Sequence, residues 1–175
     1  MVSTIRATIV AGVFAVAALI AAPDVAIAQA DTAQARQVVA DVNGKLGSLT
    51  RTAFSAKRPD VEYKSEGKAW SDAGAVLKLE ITDRDDSGDV VTEYYYASGS
   101  LVFAYVAVKG FNDAGKQVTR GEERQYFRGD KMFKWLSGMD KAENPPAGLE
   151  FAEESKTRLA SSAVYVKAAR QAIGR

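Results

Sequence analysis

The sequence predicts an α+β fold: an antiparallel β-meander of about six or seven strands flanked by an N-terminal and a C-terminal α-helix. Three observations predict it. Apolar residues recur at helical spacing after Asp31 and again after Leu149, and alternating runs fill the chain between. One hairpin pattern is also written twice, as Glu93-Tyr-Tyr-Tyr-Ala-Ser-Gly-Ser-Leu-Val-Phe103 and as Arg124-Gln-Tyr-Phe-Arg-Gly-Asp-Lys-Met-Phe-Lys134. At an offset of 31 residues, Tyr95 falls on Tyr126, Tyr96 on Phe127, Leu101 on Met132 and Val102 on Phe133. Each copy reads as strand, Gly-containing turn, strand. Sequential hairpins make neighbour pairing the simplest topology, and two copies are too few for a solenoid or propeller.

In chain order, the first element is an amphipathic helix from Asp31 to about Ala56. Ala35, Val38, Val39, Val42, Leu46, Leu49 and Ala53 lie on one stripe. Asp31 or Thr32 caps its start, while Gly44 and Gly47 weaken it by about 1 kcal/mol each relative to Ala. Arg58-Pro59-Asp60 stops it. Val61–Tyr63 and Glu66–Trp70 read as short strands, and Ser71-Asp72-Ala73-Gly74 as a turn. Along Val76–Thr82, strict alternation puts Leu77, Leu79 and Ile81 on one face and Lys78, Glu80 and Thr82 on the other.

The same alternation in the first hairpin groups Tyr94 and Tyr96 with Leu101, Phe103 and Tyr105. It groups Glu93 and Tyr95 with Val102, Ala104 and Val106. Both faces are apolar or aromatic, as expected of strands covered on two sides. The second hairpin runs over Val118–Phe127 and Met132–Leu136, followed by a loop from Gly138 to Gly148 containing Asn144-Pro145-Pro146. Leu149 to Ile173 is helical, with Ala152, Leu159, Ala163, Val166 and Ile173 on one stripe and Gly174 as the C-cap.

Residues 1–28 read as a cleaved secretory signal peptide and 29–175 as a single α+β domain. Arg6 precedes an apolar run from Ala7 to Ala22, shorter than the roughly 20 residues that span a bilayer. Ala26-Ile27-Ala28 supplies small residues for signal peptidase. The expected location is periplasmic or secreted, with no membrane anchor after cleavage.

Composition excludes much chemistry. There is no histidine and no cysteine, which removes imidazole bases, thiol nucleophiles, disulfides and every His or Cys metal site. Catalysis would have to rest on carboxylates, Lys, Tyr, Ser or Thr, and a metal on oxygen ligands. A net charge of +1 gives no field to recruit nucleic acid. No cofactor is expected.

Asp83-Arg84-Asp85-Asp86-Ser87-Gly88-Asp89 resembles a calcium loop by its alternating oxygen ligands. It has Tyr94 where the bidentate Glu belongs and follows a strand, so a hydrophilic turn is the better reading. Arg128-Gly129-Asp130, an adhesion tripeptide by spelling, falls where the hairpin needs its turn. Tyr95, Arg124, Tyr126 and Trp135 are the candidate binding residues, being of the types favoured in binding hot spots and expected on one sheet face. The same rings equally suit a core beneath the helices. Glu93, Glu122 and Glu123 are the candidate carboxylates for acid–base work, which needs two of them paired.

The Glu-x-Tyr-Tyr…Gly-x-Leu-Val-Phe and Glu-x-x-Tyr-Phe…Gly-x-x-Phe-x-Trp phrasing, near Glu93–Phe103 and Glu123–Trp135, resembles hairpins of uncharacterised exported bacterial proteins. That resemblance implies location and fold, and no activity. The expectation is a non-enzymatic exported protein binding a partner protein or envelope component through an aromatic sheet face. A carboxylate-based hydrolase of envelope polymer and a structural homodimer joined along a strand edge are the alternatives.

Overall fold

A computed structural model describes residues 23–85, 88–138 and 148–174. The Ala7–Ala22 run, Asp86-Ser87 of the acidic loop and the Asn144-Pro145-Pro146 loop lie outside the described residues. Helix α1 (Pro23–Lys45) is followed by β1 (Thr50–Ala56), β2 (Ser65–Asp72), β3 (Ala75–Asp85), β4 (Gly88–Ala97), β5 (Ser100–Phe111), β6 (Gln117–Arg128), β7 (Lys131–Ser137) and α2 (Leu149–Ile173). The seven strands form one sheet in sequence order, every neighbouring pair antiparallel. The expected α+β meander between two helices is therefore the observed fold.

The helices cover opposite faces. Helix α1 packs on β4, β5 and β6, and α2 on β1, β2, β3 and β7. Under α1, Ala35 and Val42 meet Tyr95, Phe103 and Tyr126, with Val38, Val39, Leu46 and Leu49 around them. The other core joins Leu79, Ile81, Tyr94, Tyr96, Leu101, Phe127 and Met132 to Tyr165 and Ala169 of α2.

The first helix is shifted towards the N-terminus: it begins at Pro23, so Asp31 and Thr32 lie inside it instead of capping it, and it stops short of its apolar stripe. It ends at Lys45, and Thr50–Ala56 is the edge strand β1, paired with β2 from Thr50↔Ser71 to Ala56↔Ser65. Gly44 and Gly47 undo the helix, and Thr50, Thr52 and Phe54 favour an extended chain that gains backbone partners on β2. Val61–Tyr63 belongs to the connection between β1 and β2 instead of a strand. At the other end of α1, the expected processing position after Ala28 lies in the helix, where the Thr32 hydroxyl donates to the Ala28 carbonyl at 2.7 Å.

On α2, Leu149 to Ile173 is helical as expected, and the Gly174 N–H donates to the Arg170 carbonyl at 3.1 Å. The buried stripe differs: Ala152 and Ala163 are exposed, while Ser161, Ser162, Tyr165 and Ala169 are buried. Hydrogen bonds explain the buried polar groups. Ser161 accepts from Arg58 at 3.1 Å, and the hydroxyl pairs Ser162–Tyr96 and Tyr165–Ser65 stand at 2.8 and 2.9 Å.

Strict alternation fails at β-bulges, and three of them recur at one place, just past the turn of a hairpin on its returning strand. Tyr95 pairs with Phe103 but Tyr96 with Leu101, leaving Val102 extra, and Tyr126 pairs with Lys134 but Phe127 with Met132, leaving Phe133 extra. The slip moves Phe103 and Tyr105 onto the α1 face with Tyr95, and Ala104 onto the α2 face with Tyr94. The third of these bulges comes earlier in the chain: Trp70 pairs with Lys78 and Ser71 with Val76, leaving Leu77 extra. Leu77 and Lys78 thus both point to the α1 side, whereas Leu79 and Ile81 point to α2. The hairpin seen twice in the sequence occurs three times in the fold. Two of the three turns agree, since Ala73-Gly74 and Ser98-Gly99 have positive φ at both central residues, the mirror-image geometry that suits strand twist, whereas in Gly129-Asp130 only the glycine has positive φ.

Candidate functional site

The three recurring bulges align one ladder of side chains across the α1 face. In register it runs Arg51, Trp70, Lys78, Tyr95, Phe103, Tyr126, Lys134. The Lys78 ammonium lies 5.4 Å from the Trp70 ring centre and 4.9 Å from that of Tyr95. Tyr95 meets Phe103 at 5.9 Å, Phe103 meets Tyr126 edge-on at 5.0 Å, and Lys134 lies 5.7 Å above Tyr126. Cations on ring faces and tilted ring pairs are favourable geometries. Tyr95 and Tyr126 are 1% and 2% exposed, because α1 lies on them.

Lys78 is itself buried at 5% exposure and needs a counter-charge. Its Nζ donates to Glu93 Oε1 at 2.7 Å, and the Tyr95 hydroxyl stands 2.7 Å from Glu93 Oε2 and 3.1 Å from Asn43 Oδ1. Asn43 is in the last turn of α1, so this network ties the helix end to β3 and β4. Burial raises the Tyr95 phenol first, and the Glu93 carboxylate raises it further.

Beyond the ladder the α1 face carries more polar side chains, partly exposed apart from the buried Ala107. One register row holds Lys68, Glu80, Glu93, Tyr105 and Arg124, and the next Glu66, Thr82, Val91, Ala107 and Glu122. Lys68 pairs with Glu80 at 2.7 Å and Arg84 with Glu66 at 2.9 Å. Arg124 pairs with Glu122 at 2.8 Å, and the Tyr105 hydroxyl donates to Glu122 at 2.6 Å. Partial burial and the Glu122 carboxylate push the Tyr105 phenol up to about 12. A cleft of about 510 Å³ opens over β1–β3 between Ser55, Glu66, Lys68, Glu80 and Arg84.

Tyr95, Arg124 and Tyr126 therefore share the α1 face as expected, but only Arg124 of the three reaches solvent. Trp135 is on the opposite face, half-buried with its ring 6.3 Å from that of Phe151 on α2. The expected single face fails for Trp135 because the Phe133 bulge reverses the rest of β7. Trp70, Lys78 and Asn43 were not singled out in the sequence. The signal for the first two was their place either side of Ala73-Gly74, at the hairpin spacing of Tyr95 and Phe103.

Of the candidate carboxylates, Glu123 lies on the α2 face with Glu154. Gln125 Nε2 donates to both, at 3.1 and 2.9 Å. Arg158 donates to Glu154 at 2.6 Å and the Trp135 indole N–H to Glu123 at 3.2 Å. Burial is the main cause raising the Glu123 carboxyl, opposed by Arg158 and assisted by the Glu154 charge. Two carboxylates do converge here: Glu123 Oε2 accepts from Gln125 and Trp135 of the sheet, Glu154 Oε1 from Gln125 and Arg158, and Gln125 thereby ties α2 to the sheet.

Arg128-Gly129-Asp130 forms the β6–β7 turn, with Arg128 paired to Asp31 of α1 at 2.8 Å. In the acidic segment, Asp83–Asp85 ends β3 and Gly88-Asp89 begins β4. Among the described residues no group of acidic side chains is placed to hold a metal ion, and no helix is long and apolar enough to cross a membrane.

Comparison with known proteins finds no family model, no curated protein and no solved structure that matches the chain.

Proposed function

We propose that this chain is a non-enzymatic exported protein that binds a partner protein or envelope component through the polar, partly exposed part of its α1 face. The observation that carries this reading is the division of that face. Its aromatic ladder is sealed by α1, while the neighbouring row from Lys68 to Arg124 lies on five strands with partly exposed charges and a cleft beside it. Charges and a phenol fixed on rigid strands supply orientation-specific contacts and favour a partner of matching charge pattern. The aromatic residues organise the surface from below.

Photo-crosslinking in the native compartment tests this. A cross-linker at Tyr105 is expected to give a discrete adduct that Arg124→Glu abolishes, while one at exposed Gln34 on α1 gives none. Equal adducts at both positions, or one at Tyr105 insensitive to Arg124→Glu, would overturn the assignment.

A further inference from the structure

On the other face, an open groove of about 590 Å³ runs between α2 and the β4–β5 turn. Its floor is apolar, formed by Leu101, Leu159 and Val166. The Tyr96 and Ser162 hydroxyls at its base satisfy each other at 2.8 Å. Lys167 and Arg170 stand at the rim, one helical turn apart and exposed. Among the described residues neither has an ion-pair partner, unlike Arg58, Arg84, Arg124, Arg128 and Arg158.

An apolar groove bordered by two cations without ion-pair partners is complementary to a hydrocarbon chain ending in an anion. We propose that this groove binds a single-chain amphiphile with a carboxylate head, of the fatty-acid class. The chain lies along Leu101, Leu159 and Val166 and the carboxylate between Lys167 and Arg170. The driving forces are burial of hydrocarbon and charge-assisted hydrogen bonds to the head. This site is separate from the polar surface proposed above, on the opposite side of the sheet.

The test is titration of the full chain with monomeric dodecanoate, followed by amide chemical shifts, with dodecanol as the uncharged comparison. Saturable shifts are expected at Gly99, Ala163, Lys167 and Arg170, with dodecanol about tenfold weaker for loss of the charged contacts. Arg170→Gln should lower dodecanoate affinity by a similar factor and leave dodecanol unchanged. Ala163→Phe, at an exposed helical position, should fill the groove and remove both responses while thermal melting stays near that of the parent. Shifts elsewhere, equal affinity for the two ligands, or binding only to anionic phospholipid vesicles and not to monomer would each overturn the proposal. The ligand comparison requires no variant, so a misfolded Ala163→Phe chain would not leave the question open.

Discussion

Lys78 and Glu93 face each other across adjacent strands at 2.7 Å, the ammonium almost wholly withdrawn from water and the carboxylate about one quarter exposed. Removing one partner leaves a buried charge without compensation. Glu93→Gln is therefore expected to cost about 2–4 kcal/mol, somewhat below a fully buried pair because Glu93 keeps some solvent. Lys78→Met, which retains the stem without its charge, should recover much of that loss when combined with Glu93→Gln. Urea unfolding of the two single variants and the double variant measures the coupling, and simple additivity would rule it out.

Glu123 should make stability depend on pH. Burial raises its carboxyl above the ordinary range, so the folded chain holds a proton that the unfolded chain releases. The resulting stabilisation is full below the unfolded value and is lost as pH rises through the raised folded value. Glu123→Gln imitates the protonated form and lacks this dependence. Denaturant unfolding from about pH 4 to 7 should show the parent losing stability relative to the variant as pH rises. A constant difference across that window would contradict it.

The tyrosines set an alkaline limit. Burial pushes the phenols of Tyr105 and Tyr165 up to about 12, with Glu122 adding at Tyr105 and the Ser65 hydrogen bond opposing at Tyr165. Tyr94, Tyr95 and Tyr96 are also raised by burial. The native chain keeps phenolic protons that the unfolded chain sheds near pH ~10, so stability falls as pH climbs past that value. Phenolate absorbance followed with circular dichroism should show these rings ionising together with unfolding. Early ionisation of all five with native dichroism retained would show that they are not buried as described.

Phe54 lies across Gly67 on the neighbouring strand, so a Cβ at residue 67 would come within 2.4 Å of the ring. Gly67→Val should displace Phe54 from the α2-side core at a cost of about 1–3 kcal/mol. In a Phe54→Ala background the same substitution should cost less, because the ring it strikes is gone. Thermal melts of the four chains decide this, and an equal cost in both backgrounds would exclude the contact as the cause.

The architecture was legible in sequence because periodicity and turn chemistry report local structure. The twofold hairpin repeat marked Tyr95 and Tyr126 as equivalent, and they are equivalent in space. Its third occurrence was hidden because Ser71 stands where Tyr96 and Phe127 bring rings, and Lys78 where Phe103 does. Bulges defeated the assignment of faces, since one inserted residue reverses every side chain after it. Phe103 was therefore expected opposite Tyr95 and is its neighbour at 5.9 Å. Helix α1 seemed to run on because Leu46, Leu49 and Ala53 continue its spacing, although pairing with β2 claims Thr50 onward. The polar surface was less visible still, because it depends on which rows of the sheet the helices leave partly exposed.

Strand order that matches chain order also bears on how the molecule forms. Each strand finds its partner in the segment just before it, so six hairpin closures require only short loops, and the entropy lost at each step is small. The sheet can grow by accretion from its first strand to its last. The two helices keep a different schedule. Helix α1 comes before every strand yet rests on β4–β6, and α2 comes after every strand yet reaches back to β1. Their docking joins distant parts of the chain and turns a row of local hairpins into one cooperative unit.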